Sequence, residues 1–390
     1  MNSPAQAHRD ASRADVHRGS APAGLVSSVE DASHHPDWDD FLARTAGGDL
    51  VQTSAWARLK EASGMEVHRV VVRDHGEIVG GVQLLARRLP VLGAVAYAPY
   101  GPVVASDAAP EAIALLVDEL QRFCRASVIR MLFVQLAQEG ERVARALRKV
   151  GFEPTQMDVA PAATVRIDLT RSADELLEGM SRHTRRDVRQ SFREPIRIRF
   201  ATRGDLRTFY DLYCSTAERQ GFTPMPFRYL EDMWDELHPM GQLEILIADV
   251  NGVDVAGNMV SCFGDTVTGR WLGFDAARLP RRMRPNEALI WVAISWARER
   301  GCRWLDVGGV DRPNGPAAAA SNASGPTTEQ VPLKLRFGGT HLEYPEPLKL
   351  IVNPYLRSAY RVVGANEPVR RLRRSIAGRA RVGALKRSNS

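Results

Sequence analysis

The sequence predicts a mixed α/β protein of two domains, and two observations support that prediction. The chain has 390 residues, which exceeds one ordinary hydrophobic core and suits two domains of common size. Helical and strand patterns alternate along the chain, and the same order of elements recurs in each half, which indicates an internal duplication. Hydrophobic residues make up 44% of the chain and charged residues 25%, so sizeable cores can form.

The first half begins after a stretch rich in Ala, Ser, His and Arg, which predicts a disordered leader over residues 1–32. A first domain is predicted over residues 33–165. Its helices are predicted at 38–44, 53–63 and 109–125, and its strands at 67–73, 78–87, 94–98 and 131–136. The dipeptide His75-Gly76 marks a hairpin turn.

A second domain is predicted over residues 166–339. Its helices are predicted at 205–219, 226–237 and 286–301, and its strands at 164–169, 243–250, 253–263, 266–274 and 304–307. Asn251-Gly252 and Gly264-Asp265 are predicted hairpin turns, and Ser172 opens a helix-capping pattern. The Pro-, Gly- and Ala-rich segment 311–330 is a predicted flexible loop, either a lid or an inert insertion.

Composition narrows the function classes. The net charge of +6 and pI near 9.3 favour polyanionic partners such as RNA, nucleotide diphosphates or a membrane face. The four cysteines lie far apart without metal-ligand spacing, which is typical of reduced core thiols. Residues 1–33 do not resemble a signal peptide and no apolar run is long enough to span a membrane, so a cytoplasmic protein is expected. We predict no metal, no cofactor and no DNA partner. The sequence contains no Gly-x-Ser-x-Gly motif, so a hydrolase triad has no support.

Two basic segments are candidate anion-binding surfaces. Arg182, Arg185 or Arg186, Arg189 and Arg193 recur at three- and four-residue steps, which places them along one face of a helix. That face is either a phosphate-binding stripe or an exposed charged surface. The segment 366–390 is a predicted basic tail, which would bind acidic lipid head groups at a membrane surface as readily as RNA.

Eight stretches, spread in order over roughly residues 36 to 360, carry a resemblance to a known family. They are Gln52-Thr53-Ser54-Ala55-Trp56 with Lys60, Tyr97-Ala98-Pro99-Tyr100-Gly101-Pro102, Gly151-Phe152 before Val165-Arg166-Ile167-Asp168-Leu169, Ala217-Glu218-Arg219-Gln220-Gly221-Phe222, Trp271-Leu272-Gly273-Phe274, Asn286-Glu287-Ala288-Leu289, Leu305-Asp306-Val307-Gly308-Gly309 and Lys334-Leu335-Arg336-Phe337-Gly338-Gly339. Together they resemble the Fem-type (FemABX) peptidyltransferases, which add amino acids from aminoacyl-tRNA to peptidoglycan precursors.

The resemblance implies two GNAT-like domains with mixed sheets flanked by helices, the first of them completed by about residues 340–365. It also implies that Lys60 and Arg219 bind the diphosphate or sugar-nucleotide end of the acceptor, and that Lys334 lies near the reacting carbonyl. The arginine stripe then becomes a candidate tRNA-binding surface. Two departures concern these contacts: the chain has no room for the long helical arm of some members, and 311–330 replaces a shorter loop.

Each candidate side chain also has a structural alternative. Lys334 would be a solvated surface lysine, and Lys60 a cation at the end of its helix. Arg219 would form an ion pair with Glu218 or Asp211.

The remaining candidates are carboxylates and aromatic rings. Asp306 is a catalytic candidate that would orient the attacking amine or accept its proton, and the alternative is a turn acceptor at a strand end. Tyr100 and Trp271 are candidates for an acceptor cleft, although large aromatic residues are usually core. Asp275 and Glu287 are lesser candidates.

The function expected from these observations is transfer of an amino acid from aminoacyl-tRNA, as co-substrate, to an amine of a nucleotide- or lipid-linked peptidoglycan precursor. One alternative is the same chemistry on a small-molecule amine in antibiotic or other natural-product biosynthesis. A second is acyl-CoA-dependent N-acyl transfer, against which the stretch from Arg281 to Ala288 lacks glycine and contains Pro285. A third is a non-catalytic RNA-binding or cell-wall scaffold.

Overall fold

The computed structural model describes residues 24–31, 35–89, 93–155, 157, 159–279, 283–310 and 333–363. These residues divide into two compact units. Unit 1 takes its described residues from 1–61, 65–159 and 345–358, and unit 2 from 62–64, 160–344 and 359–390. The predicted loop 311–330 and the predicted tail 366–390 lie outside the described residues.

Unit 1 is a mixed sheet with helices packed on it. Its helices are α1 (Pro36–Arg44), α2 (Ser54–Ala62), α3 (Pro110–Ala126) and α4 (Glu141–Lys149), and its strands are β1 (Leu25–Asp31), β2 (Glu66–Asp74), β3 (Glu77–Leu89), β4 (Gly93–Pro99), β5 (Val103–Val104), β6 (Ile129–Gln135) and β7 (Glu153–Pro154). Apolar residues of α3 recur at helical spacing, so its buried Leu116, Val117 and Leu120 pack on the sheet.

Unit 2 has the same architecture. Its elements are β8 (Ala163–Asp168), α5 (Ala173–Gly179), α6 (Arg182–Ser191), β9 (Ile196–Phe200), α7 (Leu206–Gln220), α8 (Phe227–Leu237), β10 (Leu243–Val250), β11 (Val253–Phe263), β12 (Thr266–Phe274), α9 (Pro285–Glu299), β13 (Trp304–Asp306) and β14 (Thr340–Glu343). Strand β15 (Leu348–Ile351) and helix α10 (Pro354–Val363) close the described chain. Leu289, Ala293 and Ile294 of α9 are buried in the core of this unit.

The two sheets correspond strand by strand. Their orders are β1-β2-β3-β4-β6-β15-β7, with β5 beside β3, and β9-β10-β11-β12-β13-β8-β14. Neighbours are antiparallel except β4 with β6 and β12 with β13, which are parallel. Each parallel pair is bridged by a helix, α3 or α9, as parallel strands require a crossover connection.

One feature of the topology is an exchange of strands. Strand β8 ends the first run of elements but pairs in the sheet of unit 2, with β13 and β14. Strand β15 ends the second run but pairs in the sheet of unit 1, with β6 and β7. The predicted fold class, mixed α/β with two mixed sheets flanked by helices, is confirmed.

The structure corrects two boundaries. Residues 25–31, which the sequence places in the leader, form β1, an edge strand paired with β2 from Leu25 opposite Asp74 onwards. The polar residues of this segment gave no sign of a strand in the sequence. Ser27 can nevertheless be buried, because its hydroxyl donates a hydrogen bond to the Glu119 carboxylate. The boundary between the units falls at 159/160 rather than 165/166, because all of β8 pairs within unit 2. Among the described residues, no helix is long and apolar enough to cross a membrane.

Candidate active site

The parallel strands β12 and β13 separate at the centre of unit 2. Their pairing ends at Thr268 opposite Asp306, and the chain beyond β13 then follows β8, with Val307 donating to a backbone carbonyl of that strand. Gly308 turns the chain here with a φ of +85°, and a Cβ atom at this position would lie 2.7 Å from the Gly269 carbonyl oxygen. Only glycine satisfies both the backbone angle and the close approach. We call residues 307–310 the site loop.

The carboxylate of Asp306 holds the site loop in place. Its Oδ1 accepts hydrogen bonds from the Thr164 hydroxyl at 2.5 Å and from the Gly308 backbone N–H at 2.8 Å. Its Oδ2 lies 3.5 Å from Nε of Arg166, and the Asp306 residue is only 5% exposed. These are the contacts of the turn acceptor that the sequence left as the alternative, so a role for Asp306 as a proton acceptor stays a prediction.

Lys334 meets the site loop from the other side. It lies in a 3₁₀ helix, Leu333–Phe337, that is anchored in the core by the buried Phe337. The Lys334 Nζ donates to the Gly309 carbonyl oxygen at 2.8 Å. Asp306 and Lys334, predicted as the two catalytic residues, therefore both contact the backbone of one four-residue loop, at the Gly308 N–H and the Gly309 carbonyl. An ammonium fixed there can stabilise negative charge that develops beside the loop.

Arg219 of helix α7 and Trp271 of β12 lie toward the far end of that strand. A Cβ atom on Gly273 would lie 2.8 Å from the backbone nitrogen of Tyr213, so glycine lets the helix approach the strand closely. Tyr213 stacks on Trp271 with ring centroids 4.8 Å apart. Arg219 is exposed, lies over the ring of Phe274 and donates to its carbonyl oxygen at 3.3 Å.

The ion pair considered as an alternative for Arg219 is absent from the described part of the chain, where Asp211 pairs instead with Arg207. The aromatic candidate Trp271 is half-buried at the edge of a cluster of rings rather than in the core. Arg219 on α7 and Trp271 on β12 are thus both at least partly exposed to solvent, and the helix and strand that carry them pack on each other.

Lys60 and Tyr100 lie in unit 1. The Lys60 ammonium lies 4.9 Å from the centre of the Trp56 ring, a cation–π contact within one helix. Tyr100 has a φ of +53° and precedes a cis peptide bond between Gly101 and Pro102. The buried Gln52 amide holds this turn by donating to the Pro99 carbonyl, so two of the resembling stretches form one hydrogen-bonded cluster.

The arginine stripe lies on α6, and the structure distinguishes the positions of Arg185 and Arg186 within it. At about 100° per residue, Arg182, Arg186 and Arg189 fall within an arc of about 60°, opposite the buried Val188. All three arginines are exposed. Arg185 lies at the border of this arc, is half-buried and donates to the Glu178 carbonyl at 3.2 Å.

Helix α6 is also connected to the 3₁₀ helix that carries Lys334. The backbone N–H of its N-cap residue, Ser181, donates to the Arg336 carbonyl oxygen at 2.8 Å. The N-terminus of the helix that carries the stripe is therefore hydrogen-bonded to the segment that contains Lys334.

The lesser carboxylate candidates have different surroundings. Asp275 forms an ion pair with Arg278 at 2.9 Å and caps the turn after β12. Burial raises the pKa of Glu287, in the first turn of α9, against the opposing charges of Arg284 and Arg336. A carboxyl group with a raised pKa near a candidate site is a reasonable proton acceptor, so Glu287 gains weight from the structure while Asp275 does not.

Sequence reasoning missed Thr164 and Arg166, the two side-chain partners of Asp306. They stand at alternate positions of β8, which places both on one face of the strand. That alternation of a hydroxyl and a cation within an apolar strand was the available signal.

The fold and the site together define a class: a tandem protein of two mixed α/β units, with a lysine and an aspartate at the separated parallel strands of the second. The crystal structure of FemX shares this fold, with a TM-score of 0.72, 19% identity, and coverage of 85% of this chain and 98% of that one. A structure of a protein of unknown function from Bacteroides thetaiotaomicron is similar at a TM-score of 0.52 and 12% identity, over 82% of this chain and 98% of that one.

The chain belongs to the FemAB family, whose model matches residues 34–260. A Lipid II:glycine glycyltransferase of Staphylococcus aureus is 29% identical over 224 residues, which cover 55% of this chain and 53% of that protein. The chain thus spans about half the length of the curated relatives it matches. The matched family region includes Lys60, Tyr100, Arg219 and α6 but ends before Asp306 and Lys334.

Proposed function

We propose that the protein transfers an aminoacyl group from aminoacyl-tRNA to an amine of a peptidoglycan precursor, with formation of an amide bond. Membership of the FemAB family and the names of the matched glycyltransferases support the reaction class. The observation that carries the proposal is the Lys334 ammonium, held 2.8 Å from the Gly309 carbonyl where β12 and β13 separate.

In the proposed reaction the neutral acceptor amine attacks the ester carbonyl carbon of the aminoacyl-tRNA. A C–N bond forms, and negative charge develops on the carbonyl oxygen. Lys334 stabilises this charge, because an ammonium already fixed in position needs no reorganisation as the charge appears. The C–O bond to the terminal ribose then breaks, and the ribose hydroxyl leaves with the proton that the amine loses.

Asp306 is proposed to act through the site loop. Its carboxylate fixes the Gly308 N–H, and the carbonyl that holds Lys334 belongs to the following residue, Gly309. Asp306 is thus a positioning residue for the lysine, and Glu287, whose pKa is raised by burial, is the carboxyl group proposed for proton transfer.

The arginine stripe on α6 is proposed to bind the tRNA backbone. Arg182 and Arg189 are seven residues apart, a rise of about 10 Å along the helix. The stripe starts beside the segment of Lys334, through the hydrogen bond between Ser181 and Arg336. Phosphates bound along the stripe would therefore lead a 3′ end toward the lysine, and such binding is expected to weaken with salt.

The acceptor contacts are also proposals. In unit 2, Arg219 is assigned to acceptor phosphates and Trp271 to less polar parts of the acceptor, while the acceptor roles of Lys60 and Tyr100 in unit 1 stay predictions from the sequence. Arg219 suits this role because its planar group is exposed and already oriented by the Phe274 carbonyl and ring. A nucleotide-linked precursor, a lipid-linked precursor at a membrane surface and a small-molecule amine all remain candidate acceptors.

The test is a transfer assay with purified protein and a pool of labelled aminoacyl-tRNA. Nucleotide-linked precursor, lipid-linked precursor and a panel of small amines are the acceptors, with labelled acetyl-CoA as a parallel donor. The proposal expects label to pass from tRNA into an amide that survives ribonuclease. Label arriving only from acetyl-CoA would replace the tRNA proposal by acyl-CoA-dependent transfer, and no transfer from either donor would favour a binding role.

A further inference from the structure

Two cysteines far apart in sequence meet at one end of the unit 2 sheet. The Sγ atoms of Cys262, near the end of β11, and Cys302, between α9 and β13, are 3.7 Å apart. Both backbones are fixed, since Cys262 N–H donates to the Gln242 carbonyl and Cys302 N–H to the Ala297 carbonyl, each at 3.0 Å. A disulfide requires about 2.0 Å between sulfur atoms, so only a small side-chain movement separates this pair from a covalent bond.

The two thiols have different surroundings. The two thiols form one hydrogen bond in which either sulfur can donate. Cys302 is buried, whereas Cys262 is half-buried and also faces the Arg300 guanidinium. These contacts outweigh burial and lower the pKa of Cys262 to about 7, the bond from Cys302 being the largest contribution. The same hydrogen bond, burial and the nearby Asp265 raise the pKa of Cys302. Arg300 is itself held by stacking on Trp296 and by the Gly241 carbonyl.

The contact with Arg300 and the partial exposure of Cys262 thus favour it as the attacking thiolate, and the buried Cys302 as the resolving thiol. This is the division that peroxide-reactive cysteine pairs need: an attacking thiolate and a resolving thiol within reach. The other cysteines lack it, because Cys124 is buried with its pKa raised to about 12, and the pKa of Cys214 is also raised by burial.

We propose that Cys262 and Cys302 form a reversible oxidation site whose substrate is a small hydroperoxide. The Cys262 thiolate attacks one oxygen of the peroxide, and the O–O bond breaks. With hydrogen peroxide as the substrate, the departing hydroxide takes a proton from solvent and becomes the first water. Cys262 is then a sulfenic acid. The Cys302 sulfur attacks the Cys262 sulfur, an S–S bond forms, and the departing hydroxide takes the Cys302 proton as a second water. A small-molecule thiol reverses the reaction by disulfide exchange.

The site also has a structural consequence. A disulfide would join the end of β11 to the segment that enters β13, four residues before Asp306. It would thus fix the start of the strand that carries the site loop, and the proposal is independent of which reaction that loop catalyses.

The test uses the full reduced chain treated with hydrogen peroxide and analysed by intact mass under denaturing conditions. The expected result is a loss of mass equal to two hydrogen atoms, reversed by dithiothreitol, with no change in oligomeric state. Digestion without reductant is expected to give one cross-linked pair of peptides, containing Cys262 and Cys302. No mass loss, or a cross-link that uses Cys124 or Cys214, would overturn the proposal without any variant.

Variants then assign the two roles. Cys302→Ser is expected to stop at the sulfenic acid, which dimedone traps on Cys262, whereas Cys262→Ser is expected to form neither product. Cys214→Ser is the matched control and is expected to form the disulfide as fast as the wild type. Equal dimedone labelling of Cys214 and Cys262 in the Cys302→Ser chain would contradict a selective site.

Discussion

Replacement of Asp306 separates a positioning role from a proton-transfer role. In Asp306→Ala, the Thr164 hydroxyl and the Gly308 amide lose their acceptor in a region where Thr164 is 2% exposed and water cannot replace it. A hydrogen bond to a charged group contributes about 1.5–3 kcal/mol, and two short ones are lost. Arg166 lies farther away, with its Nε 3.5 Å from Oδ2, so the loss is worked from the two short hydrogen bonds alone.

The expected loss for Asp306→Ala is therefore about 3–5 kcal/mol, a large share of the roughly 5–15 kcal/mol that stabilises a typical domain. Thermal unfolding followed by circular dichroism should show a fall in Tm of about 10 °C, at roughly 2–4 °C per kcal/mol for a domain of this size. Asp306→Asn keeps a carbonyl oxygen for both short bonds, so its Tm should fall much less.

Aminoacyl transfer by Asp306→Asn distinguishes the two roles. A positioning residue predicts that this variant keeps transfer within about tenfold of wild type and keeps its pH profile, because the amide still fixes the site loop. Wild-type stability of Asp306→Ala would refute the hydrogen-bond argument. Complete loss of transfer in a stable Asp306→Asn protein would instead show that the carboxylate accepts a proton.

Three further predictions follow from single contacts. Arg189→Ala should reduce by about one the slope of log binding constant for tRNA against log salt concentration. The control Arg203→Ala removes an arginine that is paired with Asp235 and should leave this slope unchanged. Equal slopes in the two variants would exclude binding by the stripe. Alkylation of Cys262 should rise with pH and be half-maximal near pH 7, since the thiolate reacts, and a midpoint near pH 9 would contradict the pair. Gly308→Ala should destabilise the protein by at least about 1 kcal/mol more than Gly301→Ala in urea unfolding, because both positions have positive φ but only Gly308 faces a carbonyl; equal losses would contradict the close approach.

The local elements were largely predictable from sequence. Asn251-Gly252 takes the positive φ angles of a tight hairpin, and the strands on either side have the predicted bounds, 243–250 and 253–263. Apolar spacing likewise located α3 and α9 to within a few residues. These features depend on neighbouring residues, so the sequence contains the information.

Pairing partners were not predictable in the same way. Alternation specifies which face of a strand is buried but not which strand lies beside it, so the exchange of β8 and β15 between the sheets is visible only in the structure. Asp306 illustrates the same limit at the site, because its partner Thr164 is 142 residues away. That contact supports the turn-acceptor alternative for the carboxylate, and its role as a proton acceptor stays a prediction.

The stripe was predictable in part. Its spacing placed the arginines on one helical face, but the choice between Arg185 and Arg186 required the buried side of α6 and the Glu178 carbonyl. The thiol pair was not predictable, since the sequence shows only two cysteines 40 residues apart.

The most direct test of the central claim compares two lysines in single-turnover aminoacyl transfer. Lys334 and Lys349 each donate to a backbone carbonyl at 2.8 Å, but only Lys334 contacts the site loop, whereas Lys349 lies on β15 in unit 1. Lys334→Ala should slow the transfer step by about 10²–10³-fold with its Tm unchanged, while Lys349→Ala should transfer at the wild-type rate. Transfer at the wild-type rate by Lys334→Ala, or an equal loss in both variants, would contradict the assignment of Lys334 to the reacting carbonyl.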